Sequence, residues 1–173
     1  MSLFLVGMRG AGKSAAGALA AARLGVPFVD VDQAIAERAG TSIAVIFATR
    51  GEAAFRAFER ELVHEIVPGP AALVALGAGA VADPEARAAI RRHGRVVWLT
   101  ARSDVLHARI RGSARPALSA LDPSEEVAIL AAEREPLYRQ CADAQVDTSA
   151  LALEEVAHVI EQFWTALPHH QLR

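Results

Sequence analysis

Gly7-Met8-Arg9-Gly10-Ala11-Gly12-Lys13-Ser14 fits the spacing G-x-x-x-x-G-K-[ST] of a phosphate-binding loop. Such a loop needs a strand before it and a helix after it. Leu3-Phe4-Leu5-Val6 is a short apolar run suited to a buried parallel strand, and the alanine-rich residues up to Leu24 read as a helix. Glycines let backbone N–H groups approach phosphate oxygens, and the helix points its positive end at the anion. Gly10, Ala11, Gly12, Lys13, Ser14 and Ala15 are therefore the candidate nucleotide-binding residues. Lys13 supplies a point charge for the β and γ phosphates, and the Ser14 hydroxyl ligates magnesium. Lys13 is also the only lysine in the chain, every other basic residue being arginine. A forked guanidinium is bulkier and shaped for bidentate pairing, so it is no simple replacement for an ammonium inside this small loop.

The rest of the composition narrows the partners. At 173 residues the chain suits one domain with a well-buried core, taken here as residues 1–173. A net charge of −2, with arginines and acids interspersed, leaves no basic stripe for nucleic acid. Small molecules are the expected ligands and a monomer the expected state. Cys141 is the single cysteine, which excludes an internal disulfide, and no Cys/His cluster has zinc-ligand spacing. The N-terminal apolar run is too short for a signal peptide or a membrane span, so a cytoplasmic protein is expected.

Downstream of the loop, strand and helix patterns alternate as in a doubly wound α/β sheet. Pro27 to Asp32 reads as a strand ending in two acids, with Asp30 and Asp32 on one side of it, followed by a helix to about Ala39. Carboxyl ends of strands form the ligand crevice of an open parallel sheet. Thr41 to Arg50 is a short helix, and Glu52 to Ile66 a longer one with Phe55, Phe58, Leu62 and Ile66 as its core stripe. Arg56 and Glu59 sit at i,i+3 spacing, which by itself describes an ordinary surface salt bridge. Ala72 to Leu76 is a buried strand ending in Gly77-Ala78-Gly79-Ala80, a segment suited either to a ligand or to tight strand–helix packing.

No acid closes that strand, so a second magnesium-supporting carboxylate has to come from elsewhere, with Asp30 best placed. Asp83-Pro84 starts a helix, Arg95 to Thr100 is a strand, and Ser103 to Arg111 another helix. Gly112 to Leu121 breaks the pattern and is either a plain connection or a lid carrying Arg115. Asp122-Pro123-Ser124-Glu125 opens a helix to about Gln140, Ala144 to Val146 is a last strand, and Leu153 to Leu167 a last amphipathic helix. His169-His170 lie in a polar tail and read as solvated.

In this order the pieces resemble the shikimate kinases over nearly the whole chain. The resemblance rests on Gly7 to Ser14, Phe28 to Asp32, Ser42-Ile43 through Ile46-Phe47 to Gly51-Glu52, and Phe55-Arg56 with Glu59. It continues through Leu76 to Val81, Arg115-Pro116 and Arg134-Glu135-Pro136-Leu137-Tyr138. It implies a three-layer α/β fold of the nucleoside-monophosphate-kinase type, a doubly wound five-stranded parallel sheet with a phosphate loop and a mobile lid at about 112–123. The acceptor-binding helical region would span about 32–62.

It implies, too, ATP-dependent phosphorylation of the shikimate 3-hydroxyl, with Mg2+, on the route to aromatic amino acids. By position, Asp32 would bind the acceptor hydroxyls and orient or deprotonate the nucleophile. Arg56 and Arg134 would grip the carboxylate, with Glu59 holding Arg56. The backbone at Ala78 and Gly79 would meet the ring hydroxyls, and Arg115 would act from the lid. Lys13, Asp32 and Arg115 would be the catalytic set, and Ser14 with Asp30 would organise the metal.

Two positions depart from the family pattern. Ala78 replaces the middle of three glycines, at a cost of about 1–2 kcal/mol if its φ must be positive. Ala15 stands where a hydroxyl residue often follows Ser14. A gluconate-type kinase and a non-catalytic nucleotide- and shikimate-binding regulator are the rival readings. Adenine is expected between the region of Arg109 and Arg111 and the loop after Asp147.

Overall fold

The structure, a computed structural model, describes residues 1–111 and 123–167. Five parallel strands form one sheet: β1 Ser2–Val6, β2 Phe28–Asp30, β3 Leu73–Ala75, β4 Gly94–Thr100 and β5 Ala144–Asp147. Their order across the sheet is β2-β3-β1-β4-β5. β1 lies in the centre, with Leu3 opposite Leu73 on one side and Ser2 opposite Gly94 on the other. All five of its residues are buried, which is why it reads as an unbroken apolar run rather than an alternating one.

The helices are α1 Lys13–Leu24, α2 Val31–Ala39, α3 Ile43–Ile66, α4 Pro84–His93, α5 Ser103–Ile110, α6 Pro123–Cys141 and α7 Leu153–Thr165. α1 leads from β1 toward one edge of the sheet, while α4 and α6 lead toward the other edge. Right-handed crossovers in opposite directions place helices on opposite faces, giving a doubly wound α/β sandwich. α7 returns to pack on α1. The direction reverses next to β1, and the segments after β1, β2, β3, β4 and β5 share the carboxyl end of the sheet, where ligands bind in such folds.

The expected elements are present, with three differences in detail. β2 stops at Asp30 instead of running to Asp32, because the Asp30 carboxylate accepts the Gln33 N–H at 3.2 Å and caps α2. Asp32 therefore stands in the first helical turn, and two residues apart on a helix do not share a side as they would on a strand. The second difference is a short 3-10 turn at Ala80–Ala82 that the small-residue pattern did not suggest. Third, Thr41 to Arg50 and Glu52 to Ile66 run into a single span, α3, interrupted only at Gly51, with φ 76° and ψ 175°. Asp122, the segment of residues 112–122 with Arg115, and His169-His170 lie outside the described residues. No described helix is long and apolar enough to cross a membrane.

Candidate active site

The phosphate loop begins where β1 ends. Gly12 caps α1 in the left-handed conformation, with φ 97°, a geometry an alanine would adopt only under strain. The loop is occupied from within by its own lysine: Lys13 Nζ donates to the carbonyls of Gly7 at 2.8 Å and Met8 at 3.0 Å, and the residue is only 9% exposed. Ser14 is exposed at the start of α1, with its neighbour Ala15.

A second set of contacts fastens the loop from the far edge of the sheet. Arg109 on α5 donates to the Gly10 carbonyl at 3.2 Å, to Thr148 Oγ1 at 3.0 Å and to the Thr148 carbonyl at 2.8 Å. Thr148 Oγ1 lies 3.2 Å from the Ala11 carbonyl and 3.0 Å from that of Thr100. Thr148, 1% exposed just past β5, thus joins the loop to the ends of β4 and β5. The spacing of the sequence carried no sign of this residue. Arg109 and the segment after Asp147 do meet beside the loop, the neighbourhood expected for adenine.

The acceptor side is built on α2, α3 and the segment after β3. Arg56 Nη1 donates to Glu59 Oε2 at 2.7 Å, while Nε and Nη2 reach Glu52 Oε1 at 3.2 and 3.0 Å. The Arg56–Glu59 pair is not the surface bridge that its spacing describes, because the Glu59 side chain is only 4% exposed. Burial on its own pulls the Arg56 pKa down, but the charge and hydrogen bond of Glu59, with those of Glu52, outweigh it and leave the pKa raised. The guanidinium also lies over the Phe55 ring, 5.3 Å from its centroid. Glu52 was absent from the expected set; its i,i+4 spacing to Arg56 was the available signal.

The glycines after β3 show how closely these groups converge. A Cβ on Gly77 would fall 2.1 Å from Glu59 Oε1 and 3.1 Å from Asp32 Oδ1; one on Gly79 would fall 2.1 Å from Arg56 Nη1. Asp32, Arg56 and Glu59, from two helices, therefore meet at this one backbone segment. Ala78, between the glycines, is unstrained, since no non-glycine residue among the described residues has positive φ. The possible cost of the missing glycine does not arise. Arg56, Glu59 and Gly79 also line a cleft of about 400 Å³ that runs on past Arg60, Val63 and Asp83.

From α6, Arg134 enters beside the Tyr138 hydroxyl. That hydroxyl donates to the Ala78 carbonyl at 2.7 Å, tying α6 to the same segment. Of the expected residues, Arg115 lies outside the described residues, and Asp30 faces its capping role through Oδ1. The hard oxygen donors at the crevice are the Ser14 hydroxyl and the carboxylates of Asp30 and Asp32. That set fits magnesium where nucleotide phosphates and water complete the shell; no cluster of three or more metal-ligating side chains occurs among the described residues.

The geometry agrees with what the chain is similar to. The family model described as "Shikimate kinase" matches residues 9–165. A shikimate kinase of Symbiobacterium thermophilum is 43% identical over 166 residues, covering 94% of this chain and 95% of that protein. A solved structure, "Shikimate kinase from Acinetobacter baumannii in complex with shikimate", superposes with a TM-score of 0.89 at 31% identity, covering 99% of this chain and 95% of that one. A gluconokinase structure from Sinorhizobium meliloti shares the fold alone, with a TM-score of 0.58, 18% identity, and coverage of 94% and 89%. With a nucleotide loop, and with a carboxylate-pinned arginine and an aspartate brought to one glycine-bordered backbone segment, the chain belongs to the shikimate kinase family.

Proposed function

We propose that this protein transfers the γ-phosphate of ATP to the 3-hydroxyl of shikimate, giving shikimate 3-phosphate and ADP. The observation that carries the acceptor half is the meeting of Asp32, Arg56 and Glu59 at Gly77 and Gly79. A small hydroxylated carboxylic acid needs a cation for its carboxylate and an acid-bearing wall for its hydroxyls, and these residues supply both.

ATP lies along the loop, its phosphates on the amides of Gly10 to Ala15. Lys13 exchanges the carbonyls of Gly7 and Met8 for the β and γ phosphates, so its charge is already in place when the nucleotide arrives. Adenine lies by Arg109 and the segment after Asp147. Arg56 and Arg134 hold the acceptor carboxylate. Glu59 and Glu52 keep the Arg56 fork from turning away, which preserves its bidentate geometry. The backbone at Ala78 and Gly79 meets the ring hydroxyls, and Asp32 aims the reacting hydroxyl in line and takes its proton. Arg115, in the lid of about residues 112–123, neutralises charge on the transferring group and helps exclude water. Ser14, as direct protein ligand, and Asp30, through water, would hold magnesium, which would supply positive charge to offset that of the nucleotide phosphates. Residues 1–173 form one kinase domain, with acceptor binding concentrated in residues 32–62, and the enzyme works as a cytoplasmic monomer. Its one cysteine, buried as a thiol, suits a reducing compartment.

Coupled measurement of ADP release tests this reading. Shikimate should stimulate release strongly. Stimulation by gluconate alone would assign the protein to another acceptor, and binding of shikimate without turnover would make it a regulator. In the same assay Lys13→Arg should keep the fold while lowering turnover at least about tenfold. Near-wild-type turnover would remove the special role given to the lone lysine.

A further inference from the structure

Tyr138 has no part in the reading above, yet it is fixed between three pieces of the site. It lies four residues after Arg134, so the two share one face of α6 a turn apart. It is 1% exposed, and its ring stacks on Trp98 of β4 at 5.7 Å between centroids and 27° between planes. The ring therefore cannot swing, and its hydroxyl is aimed. That hydroxyl donates to the Ala78 carbonyl at 2.7 Å and stands 3.7 Å from Met8 Sδ in the phosphate loop.

A phenol has one hydrogen to give. Since it goes to Ala78, what remains are lone pairs, which suit the cationic N–H groups of Arg134 beside them. Burial raises the phenol's pKa, and Arg134, by its charge and its hydrogen bond, pulls it back. A donor polarised by a cation makes the stronger hydrogen bond to the next acceptor.

The peptide between Ala78 and Gly79 is planar and trans, so the Ala78 carbonyl and the Gly79 N–H point in opposite directions. Holding the carbonyl against Tyr138 turns the Gly79 N–H away from α6. The neighbouring amides are engaged locally, Ala80 N–H on the Gly77 carbonyl and Ala82 N–H on that of Gly79. No such bond among the described residues takes the Gly79 N–H. Gly79 is also the glycine at which an added Cβ would meet the Arg56 guanidinium.

We propose that Tyr138 is a positioning residue for the acceptor: held between Arg134 and the Ala78 carbonyl, its hydroxyl points the Gly79 N–H at the bound acceptor and keeps that amide in register with the Arg134 clamp. The inference rests on the reading that shikimate binds at the Gly77–Gly79 segment. It makes the carboxylate grip and the backbone contact to the ring a single coupled unit rather than two independent contacts.

Tyr138→Phe keeps the ring and its stack on Trp98 and removes only the hydroxyl. The KM for shikimate should rise about 3- to 10-fold, the range expected for losing one buried hydrogen bond, with the KM for ATP within about twofold of wild type. A tyrosine that merely fills the core would lower stability and leave both KM values alone; that result, or an equal rise in both, overturns the proposal. A second measurement needs no substitution. Tyr138 is the only tyrosine in the chain, so growth on 3-fluorotyrosine places one fluorine probe in the full-length protein. Its resonance should move on titration with shikimate and saturate with the dissociation constant that calorimetry gives. A labelled protein that phosphorylates shikimate while its resonance stays still refutes the role of Tyr138 alone. A protein that neither binds nor phosphorylates shikimate refutes the underlying reading, and the inference with it.

Discussion

Gly79 and Arg56 approach each other so closely that a single methyl group on the glycine would displace the guanidinium. The atom that a Cβ on Gly79 would strike is the tip of a long side chain, 2.1 Å away, and not backbone. Gly79→Ala should therefore push the guanidinium aside more readily than it disturbs the fold. The KM for shikimate is expected to rise at least about tenfold, as the loss of a charged hydrogen bond implies, with the thermal midpoint nearly unchanged. Steady-state kinetics beside a melting curve checks this; an unaltered KM would mean that Arg56 does not hold the carboxylate. Residues of this kind differ in how far the sequence exposes them. Lys13 and Ser14 declare themselves because their motif is contiguous. The Arg56–Glu59 pair is visible only as a spacing that countless surface bridges share, and the burial of Glu59, which separates the two cases, depends on the distant segment after β3. Glu52 was within reach of the same spacing argument, four residues before Arg56, whereas Thr148 lay further from view, since it acts on partners that folding alone brings near.

At the scale of the element, the phosphate loop is braced by the end of another strand as well as by its own helix. The Thr148 hydroxyl, buried between Ala11, Thr100 and Arg109, is the point where that brace meets the loop. Thr148→Val keeps the shape and removes the polar contacts. Leaving buried groups unsatisfied should cost about 1–3 kcal/mol, roughly 2–10 °C in a chain of this size. The loosened loop should raise the KM for ATP while the KM for shikimate stays near wild type. An unchanged KM for ATP would confine Thr148 to the stability of β5. Strands and helices were largely readable because apolar runs, proline at the start of α4 and glycine after α1 and α2 are local signals. The misreading of Asp32 as strand has an equally local cause. Asp30 and Asp32 are both able to cap a helix, and Asp30 does so, which ends β2 two residues early. The short turn after β3 left no mark, since alanine, glycine and valine favour no single local structure strongly enough there.

Across the whole molecule, the burial of two weak acids, a thiol and a phenol, works against stability at alkaline pH. Burial raises the pKa of the Cys141 thiol, and burial likewise raises that of the Tyr138 phenol. A pKa raised on folding means that the stability it marks is fully present below the unfolded pKa and is lost as pH rises through the folded one. The denaturation midpoint should accordingly hold steady from neutrality to about pH 8.5 and fall above it, the thiol contributing first and the phenol beyond about pH 10. Denaturant titrations from pH 7 to 11 would measure this, and Cys141→Ala should remove the first part of the decline. A midpoint that stays level to pH 11 would contradict it. The position of β1 has a consequence for the order of assembly. The strand that carries the nucleotide loop precedes both of its partners in the chain, for its ladders are to β3 and β4, with Leu3 against Leu73 and Ser2 against Gly94. Long-range parallel pairing of this kind forms slowly. On the ribosome, then, the loop after β1 emerges ahead of β3 and β4 and must wait for them, and a nascent chain ending before β4 would have the loop's sequence without the sheet that gives it shape.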